Sequence, residues 1–485
     1  MGWSAAMAAW VKAIAPQMAV DRRSVAMDNV MKLTPDWFAG QLERMYVTSV
    51  TDVQKTGTAV CDANLLAPEA HHCYSQPILP MRPQRKFMTE SDKKSSYNRL
   101  IEAIVDLWEH GGGEAVSARQ ISASASIPVS SIYHHFGSLE RLFSVAQEEA
   151  QARARLWCED RIGQLEGLPV NVARFPAFFA VTVDDWVTGQ RPLAFAWREG
   201  QLLRTQSDAA AQIRSGWCAL WADFWQRACA HFGIAPQARL VERFFDNEAF
   251  THMLDWRRAV DRGGLDEYAR GMAAWLTGRP VPAAPWRDFA RIQALSTTPH
   301  APDHDSTTTR IADAAAMLIE EAGPSAVTHR AVAERAGLTL GVVSHKRRTK
   351  AELLQAGFEA VYVGAIGRLR ARTASIAPAD PAAALDGLAD FMTASLGGRG
   401  IDALHLAVAR DPALRPFGLQ LRYLRGTTSR HLLMMLRPDR PEPTHLEAAL
   451  LSGFLSALGR RHADSSVDEA RIAVREEMSA LTALL

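Results

Sequence analysis

The sequence predicts an all-α protein built twice on one plan, and three observations carry that expectation. Ser117 through Phe136 reads as a short helix, a tight turn and a second short helix. The pattern recurs. Sliding the chain so that Arg99 falls on Arg310 lays Leu100 on Ile311, Leu107 on Leu318, Gly112 on Gly323 and Val116 on Val327. The same slide lays Ser117 on Thr328, Ile121 on Val332, Ala125 on Ala336, Ile127 on Leu338, His134 on His345 and Leu142 on Leu353, with no gap. After each copy the apolar residues keep helical spacing, and from about 146 to 278 no strand-like alternation interrupts them.

The totals fit such a chain. Its 485 residues allow about three domains at ~150 residues each. A hydrophobic share of 48% and a charged share of 22% are those of an ordinary globular protein. The net charge of +1 gives no general pull toward nucleic acid, so any basic surface must be local. Five cysteines, odd in number and scattered, argue against a disulfide framework and fit a reducing cytoplasm. No apolar run approaches the ~18 residues of a membrane span, and Met1 to Val20 lacks the basic start and apolar centre of a signal peptide.

Residues 1–87 differ from the rest. Met88 to Lys94 looks like a natural polar start, so 1–87 is expected to be a poorly ordered extension or a misplaced start. Cys61, His71, His72 and Cys73 match no common metal-ligand spacing and read as scattered loop residues, so no metal or other cofactor is expected. Pro77, Pro80 and Pro83 mark a linker.

The first head is expected over 93–153. Its first helix runs from about Ser95 to Glu109 on the stripe Leu100, Ile101, Ile104, Val105 and Trp108, and Gly111-Gly112-Gly113 ends it in a left-handed cap. Ser117 caps helix two, with Ile121 and Ala125 on one face. Pro128 suits the first turn of helix three, where its missing N–H costs nothing. Ile127, Ile132 and Phe136 close the core between the two, and Ser138 caps helix four.

A helical body follows over 154–278, with breaks near Gly167-Pro169, Gly189-Pro192, Gly233-Pro236 and Gly263-Gly264. Residues 279–306 form a proline-broken linker in which Trp286 to Leu295 makes one short helix docked on a neighbour. The second head is expected over 307–364. Gly323-Pro324 stops its first helix, Thr328 caps the second, Gly337 sits in the turn and Thr339 caps the third. A second body occupies 365–485, ending in helices over about 444–462 and 467–484.

The run from Ser117 to Phe136, above all its closing Ile-Tyr-His-His-Phe, resembles the helix-turn-helix of TetR-type transcriptional regulators, and the repeat makes the chain resemble two such units fused. The resemblance implies two DNA-binding heads, each followed by a ligand-sensing and dimerising body. In such proteins helix three enters the major groove. The base-reading candidates are then Val129, Ser130, Ser131 and Tyr133 in the first head and Leu340, Gly341, Val342 and Ser344 in the second. Ser117, His134, Thr328, His345 and Lys350, with Tyr133, read as phosphate contacts, which fix register without reading sequence. The family's dimerising pair corresponds to about 237–258 with 265–276, and to the last two helices of the chain.

Each head departs from the pattern. The first has Leu139 where a phosphate-binding lysine is usual, and the second has Ser344 and Arg347 where Tyr133 and Phe136 stand in the first. A guanidinium cannot fill an apolar slot, so Arg347 is expected to reach solvent or DNA.

In the first body Trp217, Trp221 and Trp225 share one helical face, which either packs a core or dimer surface or walls a ligand pocket to which Arg198 and Arg204 add polar contacts. No catalytic constellation appears, so no enzyme is expected. The function implied is a repressor released by a small-molecule effector. It would act on double-stranded DNA as an intrachain pseudo-dimer on an asymmetric operator, or as a conventional homodimer. The alternative is a ligand-binding or protein-interaction protein with vestigial heads.

Overall fold

A computed structural model describes residues 90–112, 116–203, 207–296, 305–375, 381–393 and 400–485, all within one compact body, Lys86–Leu485, whose two repeats are called units below. The expectations for Met88 and the Cys61, His71, His72, Cys73 group fall outside the described residues, as do Gly113 and Arg204. Among the described residues the regular elements are helices, with no strand, and none is long and apolar enough to cross a membrane.

The first unit holds α1 (Glu90–Leu107), α2 (Ala118–Ala125), α3 (Val129–Phe136), α4 (Leu139–Gly163), α5 (Phe175–Gly189), α6 (Arg191–Leu202), α7 (Asp208–His231), α8 (Ala238–His252) and α9 (Arg258–Leu276). A linker helix, α10 (Pro285–Ser296), follows. The second unit repeats the order: α11 (Ser306–Ala322), α12 (His329–Ala336), α13 (Leu340–Lys346), α14 (Lys350–Ser375), α15 (Pro381–Thr393) and α16 (Gly400–Arg410). The counterpart of α7 is broken into α17 (Arg415–Tyr423) and α18 (Thr427–Leu436) at Gly426, which has φ +97°. α19 (His445–Arg461) and α20 (Val467–Thr482) close the chain.

Most boundaries follow the sequence signals, and the exceptions have physical causes. α1 begins earlier than Ser95, because Glu90 and Asp92 suit a helix N-terminus. It ends at Leu107, before the glycines, and neither Gly111 nor Gly112 has a positive φ. Gly263 and Gly264 do not break α9. They let α10 approach: a Cβ on Gly263 would lie 2.7 Å from the Trp286 ring, and one on Gly264 3.3 Å from Arg287. The expected linker helix is thus present, and Glu267 caps it by accepting the N–H groups of Trp286 (2.8 Å) and Arg287 (2.9 Å).

The two units meet along α8, α9, α19 and α20. Every residue of α8 except Arg239 is buried, so this helix has no solvent face. Phe244 packs on Phe454 at 5.4 Å between ring centroids. Gly271 lies under Leu446, and Gly453 under Asn247, where a Cβ would come within 2.7 Å and 2.5 Å of them.

Charged groups also enter this seam. Asp246 holds Arg198 of the first unit (2.6 Å) and Arg460 of the second (2.7 Å). Arg243 forks onto Glu477 at 2.9 and 3.0 Å. His252 faces Asp184 through Nε2 (3.1 Å), and its Nδ1 accepts from Arg422. Exchanging such pairs for apolar residues is often near neutral, but removing one partner leaves a buried charge at a cost of about 3–5 kcal/mol. They therefore fix which residues may face each other across the seam.

Candidate nucleic-acid interface

Both heads are assembled from the same local devices. In the first, Ser117 and Gln120 form a capping box: Gln120 N–H donates to Ser117 Oγ (3.3 Å), and Ser117 N–H to Gln120 Oε1 (2.8 Å). In the second, Thr328 Oγ1 accepts from Ala331 N–H (3.1 Å). Ile121, Ala125, Ile127, Ile132 and Phe136 are buried between α1, α2 and α3. The turns match closely. Ser126 sits at φ 53°, ψ 45° and Gly337 at φ 61°, ψ 41°, both left-handed. Serine in that region carries a steric penalty that glycine escapes.

An arginine locks each turn, a role not assigned from the sequence. Arg99 donates to the Ala125 carbonyl, and Arg310 to those of Ala336 and Gly337. Each thereby satisfies carbonyls that the end of the second helix leaves open. The only signal was that the two arginines superpose in the repeat.

The outer faces of α3 and α13 carry the expected base readers. Ser130, Tyr133 and His134 are exposed, while Val129 and Ser131 are half-buried. In the second head Leu340, Gly341, Val342, Ser344 and His345 are exposed, with Leu340 at 52% and Val342 at 37%. The first face therefore offers hydroxyls and a phenol, and the second apolar groups with a bare backbone at Gly341. Hydroxyls suit base-edge hydrogen bonds, and aliphatic groups suit thymine methyls.

The phosphate candidates differ in readiness. Ser117 Oγ already accepts from Gln120 N–H and donates to Gln120 Oε1 (2.8 Å). Thr328 is exposed, and its hydroxyl donates to no acceptor among the described residues. Lys350 is exposed and reaches the Ser325 carbonyl at 3.5 Å. Arg330, Arg348 and Lys346 add exposed cations to this head, and Lys346 is paired with Asp305 at 2.6 Å. In the first head Leu139 is half-buried, and Arg119 is the exposed cation on α2.

Phe136 fills its slot and stacks on Tyr97 at 4.7 Å. At the matching place the second head leaves the helix: Arg347 caps α13 in extended conformation and is half-buried rather than reaching freely into solvent. Its carbonyl accepts from His329 Nε2 (2.9 Å), while its Nε is buried with no hydrogen-bond partner among the described residues.

The first head is also latched to both bodies. Arg191, at the start of α6, donates to Glu109 (2.9 Å) and to the Ala409 carbonyl at the end of α16 (2.9 Å). Arg410 of the second unit returns the contact, donating from Nε (3.1 Å) and Nη2 (2.8 Å) to the Trp108 carbonyl at the end of α1. It also pairs with Glu199 at 2.5 Å. Both guanidiniums lie over the Phe195 ring, at 5.1 and 4.8 Å. Cations at helix C-termini meet the negative end of the helix dipole. Gly112 leaves room for the pair: a Cβ there would lie 3.3 Å from Glu199 and 3.5 Å from Arg410. Glu109 and Gly112 are legible in sequence, but their partners arrive from distant parts of the chain.

Trp217, Trp221 and Trp225 are fully buried in an aromatic cluster with Trp186, Trp197, Phe224 and Phe245. Trp217 donates to Gln147 (2.9 Å). The indole N–H groups of Trp186, Trp221 and Trp225 are buried with no acceptor among the described residues. Arg198 lies over Trp197 (3.6 Å) but spends its Nη groups on Asp246 and Gln201 at the seam. Burial pulls its pKa down to about 10 against the field of Asp246.

No curated protein matches the chain. Residues 100–146 and 311–366 each match the model of bacterial regulatory proteins of the tetR family.

Proposed function

We propose that the protein is a DNA-binding transcriptional regulator that acts as an intrachain pseudo-dimer on an asymmetric operator. The observation that carries this reading is the seam: four helices, two from each unit, bury aromatic and charged side chains against each other within one chain. Such a bundle joins two subunits in an ordinary regulator of this type, whose identical heads favour a palindrome. Here α3 and α13 present different side chains, so the two half-sites differ.

The sense of control is repression relieved by a small molecule. The aromatic cluster of the first body supports this part, because three buried indole donors lack acceptors there and buried indoles ordinarily find one. An apolar effector carrying carbonyl oxygens would supply acceptors to those donors. It releases DNA to the extent that it binds the off-DNA arrangement more tightly, by moving the heads off the ~34 Å spacing of successive major grooves.

The test is binding-site selection with the full chain, with the stoichiometry read by sedimentation. One chain on a site with two unlike halves is expected. A palindrome bound by two chains would overturn the pseudo-dimer, and the absence of any enriched site would favour a ligand- or protein-binding role with vestigial heads.

A further inference from the structure

A groove of about 430 Å³ opens on the flank of the seam, walled by α7 and α8 of the first unit and by α19 and α20 of the second. Its two carboxylates are spent. Glu477 holds Arg243 in a fork at 2.9 and 3.0 Å, and Glu242 takes the remaining Nη1 at 3.0 Å. Those three side chains are buried, and both carboxylates face the Arg243 guanidinium rather than the open groove.

Two further arginines line the groove. Arg239 is the one exposed residue of α8, and Arg461 is the last residue of α19. Neither makes a hydrogen bond or salt bridge among the described residues; Arg461 feels the field of Glu242 and lies near Cys218. His462 Nε2 is buried with no hydrogen bond among the described residues, 3.7 Å from Glu477. Gln226 adds an amide from α7. The groove thus offers two guanidiniums, one from each unit, beside an imidazole and an amide.

We propose that this groove binds a small organic anion, of the carboxylate or phosphate class, held between Arg239 of the first unit and Arg461 of the second. Guanidinium groups recognise both oxyanions by paired N–H donors. The volume suits a compact metabolite. An occupant ties α8 to the end of α19 across the seam, so it is an effector site separate from the aromatic cores of the bodies. Its existence does not depend on what the heads bind.

The test uses the full chain with succinate and inorganic phosphate as probes, and chloride at matched ionic strength as control. Calorimetry is expected to show one saturable site per chain for at least one probe, with a raised melting temperature. The preferred probe tells which oxyanion the groove takes. Arg239→Gln with Arg461→Gln is expected to weaken binding at least about tenfold, the effect of losing roughly one charge-assisted hydrogen bond. Should the double variant fold poorly, the exposed Arg239→Gln alone is read instead. No saturation below about 10 mM for either probe, or affinity unchanged by the substitutions, overturns the proposal.

Discussion

Replacing Arg410 by alanine tests how the first head is held. The side chain belongs to the second unit, yet it grips the end of α1 through two hydrogen bonds to Trp108 and pairs with Glu199. Both ends of the ion pair are largely buried, at 12% and 13% side-chain exposure, so screening discounts it little. A hydrogen bond to a charged group contributes about 1.5–3 kcal/mol, and losing the cation removes one partner of the Glu199 carboxylate. Arg191 remains and still holds Glu109 and Ala409, which limits the loss to about 2–3 kcal/mol of local stability.

That free energy belongs to the docking of one head. Amide hydrogen exchange is the assay, because it reads local opening segment by segment. Exchange in α1 to α3 should quicken by about 30- to 150-fold, since 1.4 kcal/mol is tenfold. Exchange in α11 to α13 should stay near wild type. Arg410→Lys keeps the charge but not the planar fork and should fall between. Equal acceleration in both heads, or none in α1, would refute the argument that Arg410 fixes the first head from the second unit.

Further predictions concern the turn, the seam, the helix break and the readers. Ser126→Gly should stabilise the first head by about 0.5–1 kcal/mol, as glycine carries no penalty at φ 53°, measured by denaturant unfolding; destabilisation would contradict the strain argument. Burial and the Arg422 guanidinium hold His252 down to about 4. Between pH 6.5 and 4 the unfolded chain takes up a proton that the folded chain refuses, so stability falls with pH across that window, by up to about 3 kcal/mol. His405, also held well below its usual range by burial, adds to this slope, and His252→Asn should flatten it in unfolding curves taken from pH 7 to 4.5. Gly426→Ala places a Cβ 2.5 Å from the Ala448 backbone at φ +97° and should cost more than about 2 kcal/mol; a melting temperature equal to wild type would show that the break can relax. Tyr133→Ala and Leu340→Ala should each relax sequence preference in one half-site only, by about 1–3 kcal/mol; blurring of both halves by either substitution would mean that the two heads are not read separately.

The heads were legible because their determinants are local. Caps at Ser117, Thr328 and Thr339 lie within three residues of the N–H groups they satisfy, and the repeat aligned both cores without a gap. The seam was legible only in outline. Helical spacing placed α8, α9, α19 and α20, but no pattern announces that Asp246 faces Arg460 or that Arg243 faces Glu477. Charges on a helix read as a solvated face until a second helix covers them. Gly263 and Gly264 misled for a related reason. Glycine signals either a stop or a close approach, and only the docked Trp286 decides between them. The three tryptophans of α7 read correctly as one face, yet their missing hydrogen-bond acceptors appear only once the surrounding side chains are in place.

Both walls of the seam are carried by a single polypeptide, and α8 has almost no surface left to offer elsewhere. Dilution cannot part walls that share a backbone, because their effective concentration is set by the tether rather than by abundance. The seam therefore forms at any abundance, and a change in α3 leaves the side chains of α13 as they are.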